Sequence, residues 1–321
     1  EGAENSPQFV LWEEVQATAY KAHPYQWGVI GWASDLKAMP RGDLYNYYRQ
    51  RYVPNNATLV IVGDFNTSDV MKQVEAHFGH LLRGESIAGP STIEPEQRGE
   101  RRVTVRKEGN IAYVAVAYHI PAAGHPELYP LEVLGTIMSS GRTSRLYRAL
   151  VDKQLATSAS LDPTFSKDAG LVWAFTEACA DADPSTLEKA LLEQIERTQN
   201  DLITEAELQK AINQTEAHFI FALDSVSNQA AQIGYYETLL SYKFLDTYLD
   251  QIRSVTRDQI REVAQKYFTE DNRTVGHFRP IPPGNGGGYG DMPVEGVGQA
   301  ANWRYTKQPH FFFKPESRKA F

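Results

Sequence analysis

With 321 residues, 42% hydrophobic and 22% charged, the chain has enough apolar side chains for large cores and is neither disordered nor fibrous. Its 32 basic against 40 acidic residues leave a net charge of −8, which argues against a nucleic-acid surface. A lone cysteine, Cys179, excludes an intrachain disulfide framework and a cysteine zinc cluster, and no apolar run approaches the roughly 18 residues of a membrane span.

In chain order, Leu11 to Lys21 has helical spacing and is broken by His23-Pro24-Tyr25. A loop follows through Gly28 to Trp32, and Leu44 to Tyr52 makes the next helix. Pro54 ends it, Asn55 and Asn56 suit a turn, and the β-branched run Thr58 to Val62, closed by Gly63-Asp64, reads as a buried strand. Ser68 or Asp69 is expected to cap a helix over Val70 to Phe78. From Leu82 to Arg101 the composition shifts to Gly, Pro, Ser and Glu, as in a linker.

Beyond the linker, Arg102 to Lys107 and Ile111 to His119 alternate around Glu108-Gly109-Asn110, which predicts a β-hairpin. Helical patterns cover Pro126 to Met138 and Thr143 to Lys153, and Ala156 to Asp162 with Gly170 to Ala178 read as a second pair of strands. A long helix starts after Pro184, and Thr204 with Glu207 stands in capping-box spacing for another. Helices continue to Phe268, a last strand follows, and a Gly/Pro-rich tail occupies 281–321.

The segment Phe268 to Pro280 repeats Tyr52 to Asp64 without a gap: Leu44 falls on Ile260 (260 − 44 = 216), and Asn56 on Asn272 at the same offset. The expected fold is therefore α+β, with duplicated domains, mostly antiparallel sheets and packed helices. At that offset the first copy would begin before residue 1. The expected division is 1–82 as the remainder of a first domain, 83–100 as linker, 101–280 as the second domain and 281–321 as tail. An incomplete first domain is expected to expose apolar surface over 1–85.

Few residues stand in chemically suggestive patterns. The glycine run 284–290 lacks the Gly-Lys-Ser/Thr of a phosphate loop. His77 and His80 are close together but have no third ligand beside them. His23 and Tyr25 could line a cleft, although Pro24 more simply fixes a turn. Arg142, Arg145 and Arg148, at helical spacing, read as a solvated or interface-facing stripe. His23, Tyr25, Arg142, Ser144 and Arg145 are kept as substrate-cleft or subunit-interface candidates. No His-Glu-x-x-His or its inverse occurs, so no catalytic and no metal-ligating residue is assigned.

The order Leu-Trp-Glu-Glu (11–14), His-Pro-Tyr (23–25), Val-Ile-Gly-Trp (29–32), the 52–64 segment, His-Phe-Gly (77–79) and Gly-Arg-Thr-Ser-Arg-Leu-Tyr (141–147) resembles the pitrilysin/insulinase family of zinc metallopeptidases, close to its bacterial processing-protease-like branch. The resemblance covers about residues 4–280 and implies two homologous α+β domains of a little over 200 residues. It also implies a zinc endopeptidase with an inverted His-x-x-Glu-His helix in the first domain, cleaving peptides in an enclosed chamber. Two His and a distal Glu would hold Zn²⁺, with the intervening Glu as base. All of these are expected ahead of Glu1, which the spacing does not support as the distal ligand. Zn²⁺ is thus expected in the intact parent and not on this chain, which is expected to be inactive by itself.

In the second domain the counterpart of the zinc helix, Leu128 to Ser139, has no His. Relatives that complete the site from their second half, or from a partner subunit, carry an Arg and a Tyr where this chain has Val151 and Thr157. A homologous partner subunit carrying that Arg/Tyr pair is therefore expected, with a periplasmic setting favoured over a cytoplasmic one. Two other readings remain: a non-catalytic assembly or scaffold subunit, and a binding module.

Overall fold

The computed structural model describes residues 5–179 and 182–282; Glu1, the glycine run and all but the first two residues of the tail lie outside them. In chain order the helices are α1 (Pro7–Ala19), α2 (Ala33–Ala38), α3 (Arg41–Arg51), α4 (Thr67–Phe78), α5 (Leu128–Ser139), α6 (Pro184–Asn200), α7 (Glu205–Ala222), α8 (Val226–Leu239), α9 (Phe244–Arg253) and α10 (Arg257–Tyr267). The strands are β1 (Arg101–Glu108), β2 (Tyr113–Ile120), β3 (Ala156–Pro163), β4 (Gly170–Ala178) and β5 (Arg273–Ile281). Two compact units are distinguished, and each is described by itself.

The larger unit takes its described residues from 5–26, 58–64 and 94–282. It is α+β, built on one mixed sheet in the order β1-β5-β2-β4-β3. Only β1 and β5 run parallel; the other three neighbouring pairs are antiparallel. Strand β2 is covered on both faces, so its side chains divide by alternation. Val114, Val116, Tyr118 and Ile120 join the larger core, with Leu131 and Leu134 of α5, Leu187 and Leu191 of α6, and Ile260 and Val263 of α10. Tyr113, Ala115 and Ala117 face the other way, against Leu11, Val15 and Ala19 of α1. Gly276 lets α1 approach this closely, since a Cβ there would overlap the Cγ2 of Val15 and lie 3.0 Å from the Cδ1 of Leu11.

Local signals set the helix starts. Ser6 caps α1 by accepting from the N–H of Phe9, and Pro7 opens its first turn. Asp183 caps α6. Thr204 and Glu207 form the expected capping box on α7, and Thr256 with Gln259 makes a second on α10.

The smaller unit holds α2, α3 and α4 among its described residues. It has little core: α2 and α4 bury no residue, and α3 buries only Arg51. Trp32, Leu44, Tyr48 and Phe78 are 42%, 60%, 53% and 50% exposed. Among its ties, the amide of Asn55 accepts from the N–H of Gly84 at 2.8 Å and donates to the Gly84 carbonyl at 3.3 Å, and the Asn56 amide donates to the Arg51 carbonyl at 2.9 Å.

Three local expectations are corrected. β1 and β2 are not a hairpin, because β5 lies between them, parallel to one and antiparallel to the other. The turn-like Gly109-Asn110 marks the chain reversal, but the buried Val275–Phe278 stretch takes the slot between the two strands. Thr58 to Val62 is not a strand: Ala57 leads into it with extended backbone, yet no ladder partner exists among the described residues and Leu59 is 57% exposed. The cap of α4 is Asn66, whose side chain accepts from the N–H groups of Ser68 and Asp69.

Candidate functional site

The end of α1 and the turn after it form a tight cluster. The Glu94 carboxylate accepts backbone N–H groups from Lys21, Ala22 and His23 at 2.7, 2.9 and 2.8 Å. Burial alone would raise that carboxyl, but these three donors hold it below the usual carboxylate range. His23 is buried; its Nδ1 accepts the N–H of Tyr25 at 3.2 Å, and its Nε2 faces Asp168 Oδ2 at 3.5 Å. The Tyr25 ring stands edge-on to His23 at 4.4 Å, and its hydroxyl accepts the N–H of Asp168. Both candidates are thus engaged with their own turn, on the α1 side of the sheet.

Arg142, Ser144 and Arg145 lie on the opposite side, after α5. Gly141, in the left-handed region at φ 79°, reverses the chain into a π-helical turn over Tyr147–Val151, whose neighbours Leu146 and Leu150 reach the larger core. Arg142 is exposed, whereas Ser144 is buried with no partner for its Oγ among the described residues. Arg145 is not a solvated member of a stripe: it grips Glu207 with two hydrogen bonds, Nε to Oε1 at 2.9 Å and Nη2 to Oε2 at 3.1 Å. Arg145, with the capping contacts of Thr204, holds the Glu207 carboxyl down at about 2. Val151 closes the π-turn half-buried, and Thr157 is exposed where the β3–β4 register shifts between Ala156 and Ser158.

Helix α5 carries one acidic residue and no imidazole. That residue, Glu132, accepts the Tyr248 hydroxyl at 2.5 Å on Oε1, while Oε2 is buried without a partner among the described residues. Burial pushes its carboxyl up to about 7, against the lowering effect of the Tyr248 bond. A single carboxyl does not fit a zinc ion, which takes at least three protein ligands. Among the described residues no group of three or more His, Cys, Asp or Glu could hold a metal, the His77 and His80 pair included.

A further concavity was not visible in the sequence. It is an open groove of about 840 Å³ between α6 and the β1 side of the sheet. At its base Glu188 of α6 contacts His277 Nε2 at 2.6 Å and accepts a two-pronged pair from Arg102, at 3.1 and 2.7 Å. Burial would raise the Glu188 carboxyl, yet the bonds from His277 and Arg102 hold it at about 2. Glu100 bridges Arg102 and Arg273 beside it. These residues lie up to 177 positions apart in the chain (277 − 100), so only the polar His277 inside an apolar strand hints at them.

The family profile described as the peptidase M16 inactive domain matches residues 38–215, more than half of the chain, and the chain belongs to that family. This bears out the resemblance read from the motifs. The chain is 30% identical over 284 residues to the zinc protease PqqE of Helicobacter pylori, across 86% of this chain and 63% of the relative. It is 26% identical over 239 residues to a probable mitochondrial-processing peptidase subunit beta of Schizosaccharomyces pombe, across 70% of this chain and 51% of that protein. A crystal structure of a protease from Helicobacter pylori matches with a TM-score of 0.83 and 29% identity, over 87% of this chain and 68% of that one. The chain thus spans about half to two thirds of the length of these curated relatives.

Proposed function

We propose that the chain is part of a zinc-dependent metalloendopeptidase subunit, and that its inactive domain helps to enclose peptide substrate while a preceding homologous domain carries the zinc. The observation that carries this reading is the likeness to a relative named a zinc protease, of which the chain spans 63%, joined to a helix α5 with one carboxylate and no imidazole. Duplication is supported by α3 and α10, whose bounds share one offset (257 − 41 = 216; 267 − 51 = 216). Within the proposed remainder 1–82, the exposed apolar side chains of 27–57 and 65–82 are those that an incomplete first domain would leave uncovered, whereas α1 packs within the larger unit.

Val151 and Thr157 stand where relatives would have Arg and Tyr, so the site is completed by a homologous partner subunit; a relative named as a beta subunit accords with this. Arg142, the exposed one of the five candidates, is assigned to substrate or partner contact. His23, Tyr25, Ser144 and Arg145 shape the turns on either side of the sheet. The test is the coding sequence ahead of Glu1. A His-x-x-Glu-His codon run there, with a sister subunit encoded nearby, is the expected result; an uninterrupted upstream reading frame without it overturns the reading.

A further inference from the structure

We infer that the groove between α6 and β1 is a docking site for an acidic polypeptide segment in extended conformation, which adds to the sheet as a sixth strand beside β1. The inference goes beyond the peptidase reading and stands whether or not the parent chain is catalytic.

β1 is the end strand of the sheet, and its eight residues pair on one side only, with β5. An unpaired edge of this length is a template for another strand. Its two faces differ. Val103 and Val105 pack toward α1, whereas Arg102 and Thr104 line the groove on the α6 side and Arg106, two positions further on, shares their face by alternation; all three are exposed. The helices that cover β2 and β5 therefore leave β1 beneath an open groove.

Glu193 and Glu196 of α6 also line the groove, Glu193 being paired with Arg197, and the basic groups in and beside the groove fall into two sets. Arg102 and Arg273 are neutralised within the protein by Glu100 and Glu188. Arg106 and Arg279 are not. They are direct partners in the β1–β5 register, side by side on one face, and neither has an acidic partner among the described residues. Lys189 of α6 lines the same groove and also lacks one. Like charges directly opposite one another weaken a strand pair. A carboxylate placed between two guanidinium groups removes that repulsion and gains charge-assisted hydrogen bonds. A peptide strand would supply main-chain bonds to the β1 edge, and its acidic side chains, pointing to the α6 face at every second residue, would reach Arg106 and Arg279.

The experiment uses the full chain and three fluorescent peptides of eight residues, matching the length of β1: Glu alternating with Val and Thr, and the same peptide with Gln or Lys for Glu. Anisotropy titrations are expected to give the Glu peptide at least about tenfold tighter binding than the Gln peptide, falling with salt, and no binding of the Lys peptide. Hydrogen exchange should then show new protection confined to β1. The double variant Arg106→Glu/Arg279→Glu should lose the binding, Arg106→Lys/Arg279→Lys should retain most of it, and Arg148→Glu on a remote surface should leave it unchanged. Equal binding of the three peptides, no binding at all, insensitivity to the double reversal, protection away from β1, or occupation of β1 by a second copy of the chain would each overturn the inference. If the double Glu variant unfolds, Arg279→Gln alone supplies the comparison.

Discussion

Glu132→Gln is the substitution whose consequence follows most directly from the buried helix layer. The folded carboxyl is pushed to about 7 from an ordinary 4.5. At about 1.36 kcal/mol for each decade of proton affinity, the difference corresponds to about 3 kcal/mol. The sign follows from which state holds the proton. Below pH 4.5 both states are protonated and the site costs nothing; between 4.5 and about 7 only the folded state keeps its proton, so its stability falls as pH rises. Above about 7 the folded protein bears the full cost of an ionised carboxylate whose Oε2 has no partner. Glutamine is neutral at every pH and retains an oxygen for the Tyr248 hydroxyl. Urea unfolding of both proteins at pH 4, 5, 6, 7 and 8, with exchange of the α5 amides read alongside, should show the variant gaining about 3 kcal/mol over wild type across that range. Parallel stability curves would refute the assignment of a neutral, buried Glu132.

Other outcomes test the packing and the polar network. Gly276→Ala should cost about 1–3 kcal/mol, measured as a fall in Tm, because α1 must retreat from β5; an unchanged Tm would contradict the contact. Glu188→Gln should destabilise at pH 7 by about 1–3 kcal/mol. It should also remove part of the acid-induced loss that wild type shows as pH falls from 4.5 toward 2, where the paired carboxylate is protonated. Glu94→Ala leaves three backbone N–H groups without their acceptor, and should open the Lys21–Tyr25 turn to limited proteolysis at native temperature.

Much of the architecture was legible because it is encoded locally. Pro184 and the Thr204–Glu207 box announce α6 and α7 within a few residues of where they start. The β3–β4 pair is joined through nearby sequence and was read as such. What could not be read is set by distant partners. The insertion of β5 between β1 and β2 pairs Tyr113 with Phe278, and no turn signal near residue 109 encodes that. Thr58 to Val62 has the composition of a strand, but a ladder also needs a neighbour. The groove network joins Arg102, Glu188 and His277 from three elements, each residue unremarkable in its own stretch. Glu132 is the one acid of the apolar helix α5, yet the burial that raises its carboxyl and the Tyr248 bond that opposes it come from packing, Tyr248 lying 116 residues away. Motif order was the sequence feature that reached across these distances, and it led to the family.

The chain belongs to the peptidase M16 inactive-domain family, and the central proposal is that it contributes none of the metal chemistry of its parent protein. The most direct measurement is zinc content together with chelator-sensitive peptide hydrolysis, made on residues 1–321 alone. The account predicts neither stoichiometric zinc nor hydrolysis; hydrolysis by this chain that a chelator abolishes and zinc restores would contradict it.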